Sequence, residues 1–257
     1  MIKGGERINI FHRLNLVRVF REIRKMVFPG IFCACSFHAH GKTIYTMEPL
    51  IVTAGKIPTT LVETSRNIIV IEKEEIINSP ASGVADLLKY ISGIDINERG
   101  PEGIQSDVAL RGGTFEQTLI LIDGIKVNDP QTAHHNLNLP VHLGDIERIE
   151  ILKGSASRLH GAGAFAGVIN IITKKGEKKN LKITTLAGDH KLLEGNLALS
   201  QPIGISNNYL SVSGKRSEGY RHNTDFDMWN IFFKSVFELK KAGGSISLGY
   251  NLSLIHI

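Results

Sequence analysis

The 257-residue chain is short of the residues that most often build a disulfide framework, a thiolate metal site or a membrane-spanning helix. Its two cysteines, Cys33 and Cys35, both fall within the first 41 residues. If that stretch is removed on export, neither a disulfide nor a cysteine-ligated metal can form in what remains. After Phe37 no apolar run approaches the roughly 18 residues of a transmembrane helix, so any membrane insertion must use strands. One-sided charge is also missing from most of the chain. The formal net charge is +5, but Lys3, Arg7, Arg13, Arg18, Arg21, Arg24 and Lys25 are opposed over residues 1–28 only by Glu6 and Glu22. The remaining chain carries 23 basic and 23 acidic residues. A basic surface for nucleic acid therefore has no support outside the leader.

Catalytic constellations are equally scarce. No Ser-His-Asp set or carboxylate pair stands out, and Asp123 and Glu147 read as turn and ion-pair residues. Gly161 to Ala166 fits a relaxed dinucleotide fingerprint, but that fingerprint needs a helix next. Val168 to Thr173 follows instead, β-branched and strand-like. Among ten histidines only His134 and His135 are adjacent, and neighbours in sequence rarely face one metal. They read as part of a polar loop, with ligand contact as the alternative. The chain is expected to be neither an enzyme nor the holder of a resident cofactor or metal.

With 42% hydrophobic and 21% charged residues, the composition is that of a folded protein, and the 26 glycines against 8 prolines lean towards turns and strands. Residues 1–41 read as a targeting segment: a basic stretch, an apolar run from Met26 to Phe37 broken by Pro29 and Gly30, then small residues near Ala39 and Gly41. A retained amphipathic helix is the other reading of the same residues. Residues 42–60 form a linker containing Pro49, Leu50, Ile51, Val52, Thr53 and Ala54. Residues 61–175 mix helix and strand. Val84, Leu87, Leu88 and Ile91 make one helical face, followed by Gly93. Short apolar runs follow, and Asp123-Gly124 between two of them signals a hairpin.

Over 176–257 the pattern is strand and turn. Leu193, Leu197 and Leu199 alternate with Glu194, Asn196 and Ser200, while Trp229, Ile231 and Phe233 alternate with Asn230 and Lys234. Ile246, Leu248, Tyr250 and Leu252 continue the period. Such strands suit lipid on one side and a polar lumen on the other, or equally a soluble sheet with one wet face. Links expected at 201–208 and 240–244 fall on one rim and a longer one at 215–226 on the other, as in an outer-membrane barrel.

Read together, several short motifs resemble the N-terminal half of a TonB-dependent outer-membrane receptor. They are Leu50-Ile51-Val52-Thr53-Ala54, similar to a TonB box; Ala85-Asp86-Leu87-Leu88 with Ile91-Ser92-Gly93-Ile94; Leu110-Arg111-Gly112-Gly113; Leu121-Ile122-Asp123-Gly124; Ile146 to Gly154; and Leu159-His160-Gly161 with Gly167 to Thr173. The resemblance implies an α+β plug domain followed by the start of a transmembrane antiparallel β-barrel, of about 22 strands in the family. It also implies a monomer in the outer membrane that takes up an iron or cobalt chelate, of siderophore or cobalamin type, with TonB and its inner-membrane energising complex as partner. Pro49 to Ala54 would engage TonB. Arg111 and Glu147 or Arg148 would form plug–barrel ion pairs, and Phe115, Gln131, His134 and His135 would face the ligand. At about 10 residues per strand, the residues after Leu181 supply roughly five strands, so the sequence reads as the first part of a longer barrel and should not transport as it stands.

Overall fold

The computed structural model describes residues 50–51, 59–60, 67–239 and 242–255. The leader expected over 1–41 lies outside them, as do Pro49, Val52, Thr53 and Ala54. Of the linker motif, Leu50–Ile51 form a two-residue strand, β1, that pairs antiparallel with β2, Thr59–Thr60.

The mixed region begins with β3 (Ile68–Glu72), which runs directly into α1 (Lys73–Asn78). The helix expected from the Val84 to Ile91 face is α2 (Val84–Lys89), which buries Val84, Ala85, Leu87 and Leu88. Asp86 in its first turn accepts from the Ser82 amide at 3.0 Å and Lys89 occupies its last turn, so both ends complement the helix dipole. Gly93, with φ +75°, turns the chain into β4 (Ile94–Glu98), which pairs antiparallel with β5 (Ser106–Leu110).

The main plug sheet contains β6 (Thr118–Ile122), β7 (Ile125–Lys126), β8 (Ile146–Lys153) and β9 (Gly167–Thr173). Its order is β3-β8-β9-β6-β7, antiparallel except for the parallel β6–β9 pair. Cover on both faces explains why β6, β8 and β9 read as nearly continuous apolar runs. Leu119, Ile120, Ile149, Ile151, Val168 and Ile169 are fully enclosed. Asp123 and Gly124, at φ +50° and +80°, make the tight β6–β7 turn that the sequence signals. After Ala166 the chain enters β9, not a helix, which removes the dinucleotide reading; α3 (Ser157–His160) lies before the glycine segment.

Beyond the plug, β10 (Asn180–Ala187), β11 (Leu193–Ile203), β12 (Ser206–Ser217), β13 (Phe226–Leu239) and β14 (Ala242–Ile255) form an antiparallel meander. The two-residue link 204–205 and the connection from β13 to β14 lie on one rim, and 188–192 and 218–225 on the other. β11 and β12 extend further than the alternation alone suggests, so the link between them is tighter than expected; Gly204, at φ +59°, makes it possible.

The faces of this meander are inverted relative to a soluble sheet. Leu197, Ile203, Trp229, Ile231, Leu248 and Leu252 are exposed. Asn196, Ser211, Ser213 and Lys234 are buried, on the face packed against the plug, with Ala198, Tyr209 and Phe232 joining the plug's hydrophobic core. A soluble sheet with one wet face would bury the first set and expose the second. The outward leucines and aromatics match the lipid-facing side of a transmembrane barrel.

Close packing within the plug gives a test of this arrangement. A Cβ at Gly167 would lie 2.5 Å from Leu110 Cδ1 and collide with the Leu152 carbonyl. Gly167→Val should cost about 1–3 kcal/mol, read as faster amide exchange across β8 and β9. Unchanged protection would show that the contact relaxes without loss.

Candidate functional site

The seam between plug and strands is held by two polar clusters. In the first, the β6–β7 turn presents Asp123, whose carboxylate accepts from the Thr173 amide at 3.0 Å and the Thr173 hydroxyl at 2.6 Å. Lys234 of β13 approaches the same carboxylate at 2.8 Å and donates to Thr173 Oγ1 at 2.9 Å. Both charges are largely enclosed, with side chains 17% and 6% exposed. Tyr209 of β12 lies directly opposite Lys234 and donates to Asp145 Oδ1 at 2.7 Å. Asp145 is available because it ends the 3-10 turn Leu143–Asp145, where its other oxygen accepts from the His142 amide at 2.9 Å.

The second cluster lies towards the rim of the longer links. His142 Nδ1 accepts from the Gly144 amide at 2.9 Å, which leaves the ring proton on Nε2 to donate to Glu194 Oε1 at 2.7 Å. Lys215, opposite Glu194 in the β11–β12 register, contacts Glu194 at 3.3 Å and plug residue Glu102 at 2.7 Å. Glu194 and Ser200, the latter in register with Tyr209, are six residues apart on β11, so the two clusters grip the plug about 20 Å apart along the wall. Between them runs a ladder of amides and hydroxyls. Asn196 donates to Ser211 at 3.1 Å, Asn230 to Ser213 at 3.4 Å and Asn251 to Asn230 at 2.6 Å. These bonds tie the wall strands to one another, while Ala198 and Phe232 on the same stretch pack into the plug's hydrophobic core.

The expected plug–barrel ion pairs are placed otherwise. Glu147 pairs with Lys73 at 3.3 Å, within the plug. It sits at an irregularity of the β8–β9 register between Ile146 and Arg148. Arg148 meets Glu150 at 2.8 Å, because residues two apart on one strand share a face. Arg111 is exposed at φ +50°, its amide donating to the Gly93 carbonyl at 3.0 Å. The pairs described across the seam are Asp123–Lys234 and Glu102–Lys215 instead, with His142–Glu194 beside the second. Their sequence signal is a charge on the polar face of a strand, which Glu194 and Lys234 both carry; their plug partners have no local signal.

Of the residues expected to face a ligand, Phe115 and His134 are brought together, ring centroids 4.5 Å apart. His134 Nδ1 lies 2.9 Å from Asp107 Oδ1, and Asp107 also holds Arg99 at 3.1 Å. Arg99 lines a cavity at the mouth, between plug residues 98–102 and the links 188–192 and 218–225. The sequence missed this cavity, to which Glu102, His190, Tyr220 and Arg221 contribute. None of Phe115, Gln131, His134 and His135 lines it, though His134 reaches Arg99 through Asp107. Gln131 and His135 are exposed: the Gln131 amide donates to Asp129 at 3.1 Å, and His135 Nδ1 lies 3.1 Å from the Asn138 amide nitrogen. The Thr132 hydroxyl, then the amides of Gln131 and Thr132, hold Asp129 down to about 2. Among the described residues no group of three His, Cys, Asp or Glu side chains could hold a metal, and no helix is long and apolar enough to cross a membrane.

Comparison with known proteins places this architecture. Residues 60–168 match the model of the TonB-dependent receptor plug domain. A vitamin B12 transporter, BtuB, of Vibrio vulnificus is 31% identical over 192 residues, 74% of this chain and 30% of that protein. An iron-regulated outer membrane virulence protein of Vibrio cholerae is 30% identical over 171 residues, 63% of this chain and 26% of that protein. The chain thus spans about a third or less of the curated relatives it matches. Among solved structures, the siderophore receptor PiuA of Acinetobacter baumannii superposes with TM-score 0.63 at 26% identity, over 80% of this chain and 29% of that one. The pyoverdine receptor FpvA of Pseudomonas aeruginosa does so with TM-score 0.65 at 19% identity, over 79% and 30%, a likeness of fold alone.

The first cluster yields a sharp expectation. Lys234→Met strands the Asp123 carboxylate in an enclosed site, a change of about 3–5 kcal/mol. In a full-length receptor it should loosen the plug, read as higher ion conductance in planar bilayers. Asp123→Asn combined with Lys234→Gln, which removes both charges, should restore most of the seal. Equal conductance of Lys234→Met and the parent would show that the pair does not retain the plug.

Proposed function

Because this chain belongs to the TonB-dependent receptor family by its plug domain, we propose that the protein it represents is an outer-membrane receptor for energised uptake of a scarce metal chelate, a corrinoid or a ferric siderophore. The inverted burial of β11–β13 carries this reading. A polar face wrapped round a plug and an apolar face turned outward suit a strand wall between lipid and lumen. The curated relatives, a vitamin B12 transporter and an iron-regulated outer-membrane protein, support the chelate class. The alternative, a periplasmic plug-like module with a small soluble sheet, would leave Leu197, Trp229, Ile231 and Leu248 in water.

In this account the chelate enters at the mouth cavity, over Arg99, Tyr220 and Arg221. The plug blocks the lumen while the Asp123–Lys234 and Glu102–Lys215 pairs hold. TonB engages the Pro49 to Ala54 segment as an added strand, whose backbone hydrogen bonds transmit a pull. The β1–β2 pairing shows that Leu50 and Ile51 adopt the extended backbone such an addition needs.

A peptide of residues 46–58 should bind the TonB C-terminal domain. In a full-length receptor, Leu50→Pro removes a backbone donor and should abolish uptake of labelled cobalamin or ferric siderophore while leaving surface binding intact. Uptake equal to the parent's would remove the coupling role from this segment.

A further inference from the structure

On the rim of the two-residue link, a cleft opens between α1, the end of β9 and the inward faces of β10–β12. Lys73, Lys174, Lys175, Lys178, Lys179 and Lys182 line it together with Arg148. The carboxylates on its wall are Glu147 and Glu177, engaged by Lys73 at 3.3 Å and by Lys175 at 4.0 Å. The lining therefore carries a surplus of five positive charges, in a chain whose charges outside the leader balance. Among the described residues, no carboxylate lies within ion-pair distance of Lys178, Lys179 or Lys182.

A run of lysines on an open surface is ordinarily a solvated face. Here the cations line a concavity, with Lys174 half-buried and Lys175, Lys178, Lys179 and Lys182 exposed around it. Burial, and then the charges of Lys73 and Lys182, hold the Lys174 ammonium below the ordinary lysine range, against the opposing pull of Asp145 and Glu147. Lys174 also donates to the Gly144 carbonyl, which fixes its head group in the cleft. Hydroxyl and amide groups of Ser200 and Asn180 share the lining. Ammonium groups lining one concavity beside neutral donors fit a tetrahedral oxyanion, which would relieve the repulsion on Lys174 and accept several hydrogen bonds.

We propose that this cleft is a phosphate-binding site, with Lys174, Lys178 and Lys182 as its principal cations. Two sources present that chemistry at this rim: a free phosphate compound, and the headgroup of an anionic phospholipid. Leu181 and Ile183, 59% and 66% exposed, begin the outward apolar band beside Lys182, so a headgroup at the lipid boundary lies within reach of the lysines.

The test uses a full-length receptor and reads binding, so it stands whether or not the uptake reading holds. Inorganic phosphate is titrated calorimetrically against chloride at equal ionic strength, and the receptor is separately reconstituted in nanodiscs with phosphatidylglycerol or phosphatidylcholine alone. The parent should bind phosphate in preference to chloride, or retain phosphatidylglycerol selectively. Lys178→Gln with Lys182→Gln should weaken that binding about tenfold or more, and the corresponding Arg pair should restore it. Phosphate binding in solution identifies a free compound as the source; retention of phosphatidylglycerol alone identifies the headgroup. No preference for either probe in the parent, or equal binding by the Gln pair, would overturn the proposal.

Discussion

Strands β11–β13 place apolar side chains on the face away from the plug and most of their polar ones on the face against it, and the rest of the structure follows from that constraint. Lipid satisfies the outer row, but nothing except protein or water can satisfy Asn196, Ser211, Ser213, Tyr209 and Lys234. The plug meets this need in part with carboxylates and carbonyls offered by tight turns: Asp123 at the β6–β7 turn, Asp145 at a 3-10 turn, Thr173 at the end of β9. The turns of the plug are therefore placed by the same requirement that lines the lumen with polar groups.

The seam joins through polar clusters at two levels, with Ala198 and Phe232 packed on the plug core between them. Lys234 and Lys215 each bring a largely buried cation to a plug carboxylate, and a buried pair is costly to break from one side while contributing little net stability when whole. The intervening amides and hydroxyls bond one wall strand to the next, so those bonds do not depend on the plug. Displacing a plug so held means separating Ala198, Tyr209 and Phe232 from its hydrophobic core as well as breaking the two clusters. The Lys-rich cleft on the short-link rim adds a repulsive element beside the first cluster, because the charges of Lys73 and Lys182 act on Lys174 against the pull of Asp145 and Glu147.

Much of this was legible in the sequence where the signal is local. The Asp123-Gly124 dipeptide specifies its turn because two successive residues need positive φ, the Val84 to Leu88 spacing marks the buried face of a helix, and the period of two after residue 190 marks the strands. Which face looked inward could not be read from the alternation, since lipid-facing and soluble sheets share it. The partners across the seam were illegible for a different reason: Glu102 and Lys215 are 113 residues apart, and Asp145 and Tyr209 are 64 apart. The nearby charges that looked like gate residues, Glu147 and Arg148, are drawn to partners on adjacent strand and helix positions instead. The mouth cavity likewise depends on three segments that only the fold brings together.

In a membrane-embedded receptor the apolar face of β11–β13 should meet lipid while the opposite face meets the plug. Nitroxide labels placed singly at Asn196, Leu197, Ala198 and Leu199 in a full-length, membrane-embedded receptor test it most directly through their collision rates with oxygen and a water-soluble relaxant. The account predicts high oxygen accessibility at Leu197 and Leu199 and low accessibility to both agents at Asn196 and Ala198. Water accessibility at Leu197 and Leu199, or lipid accessibility at Asn196 and Ala198, would contradict it.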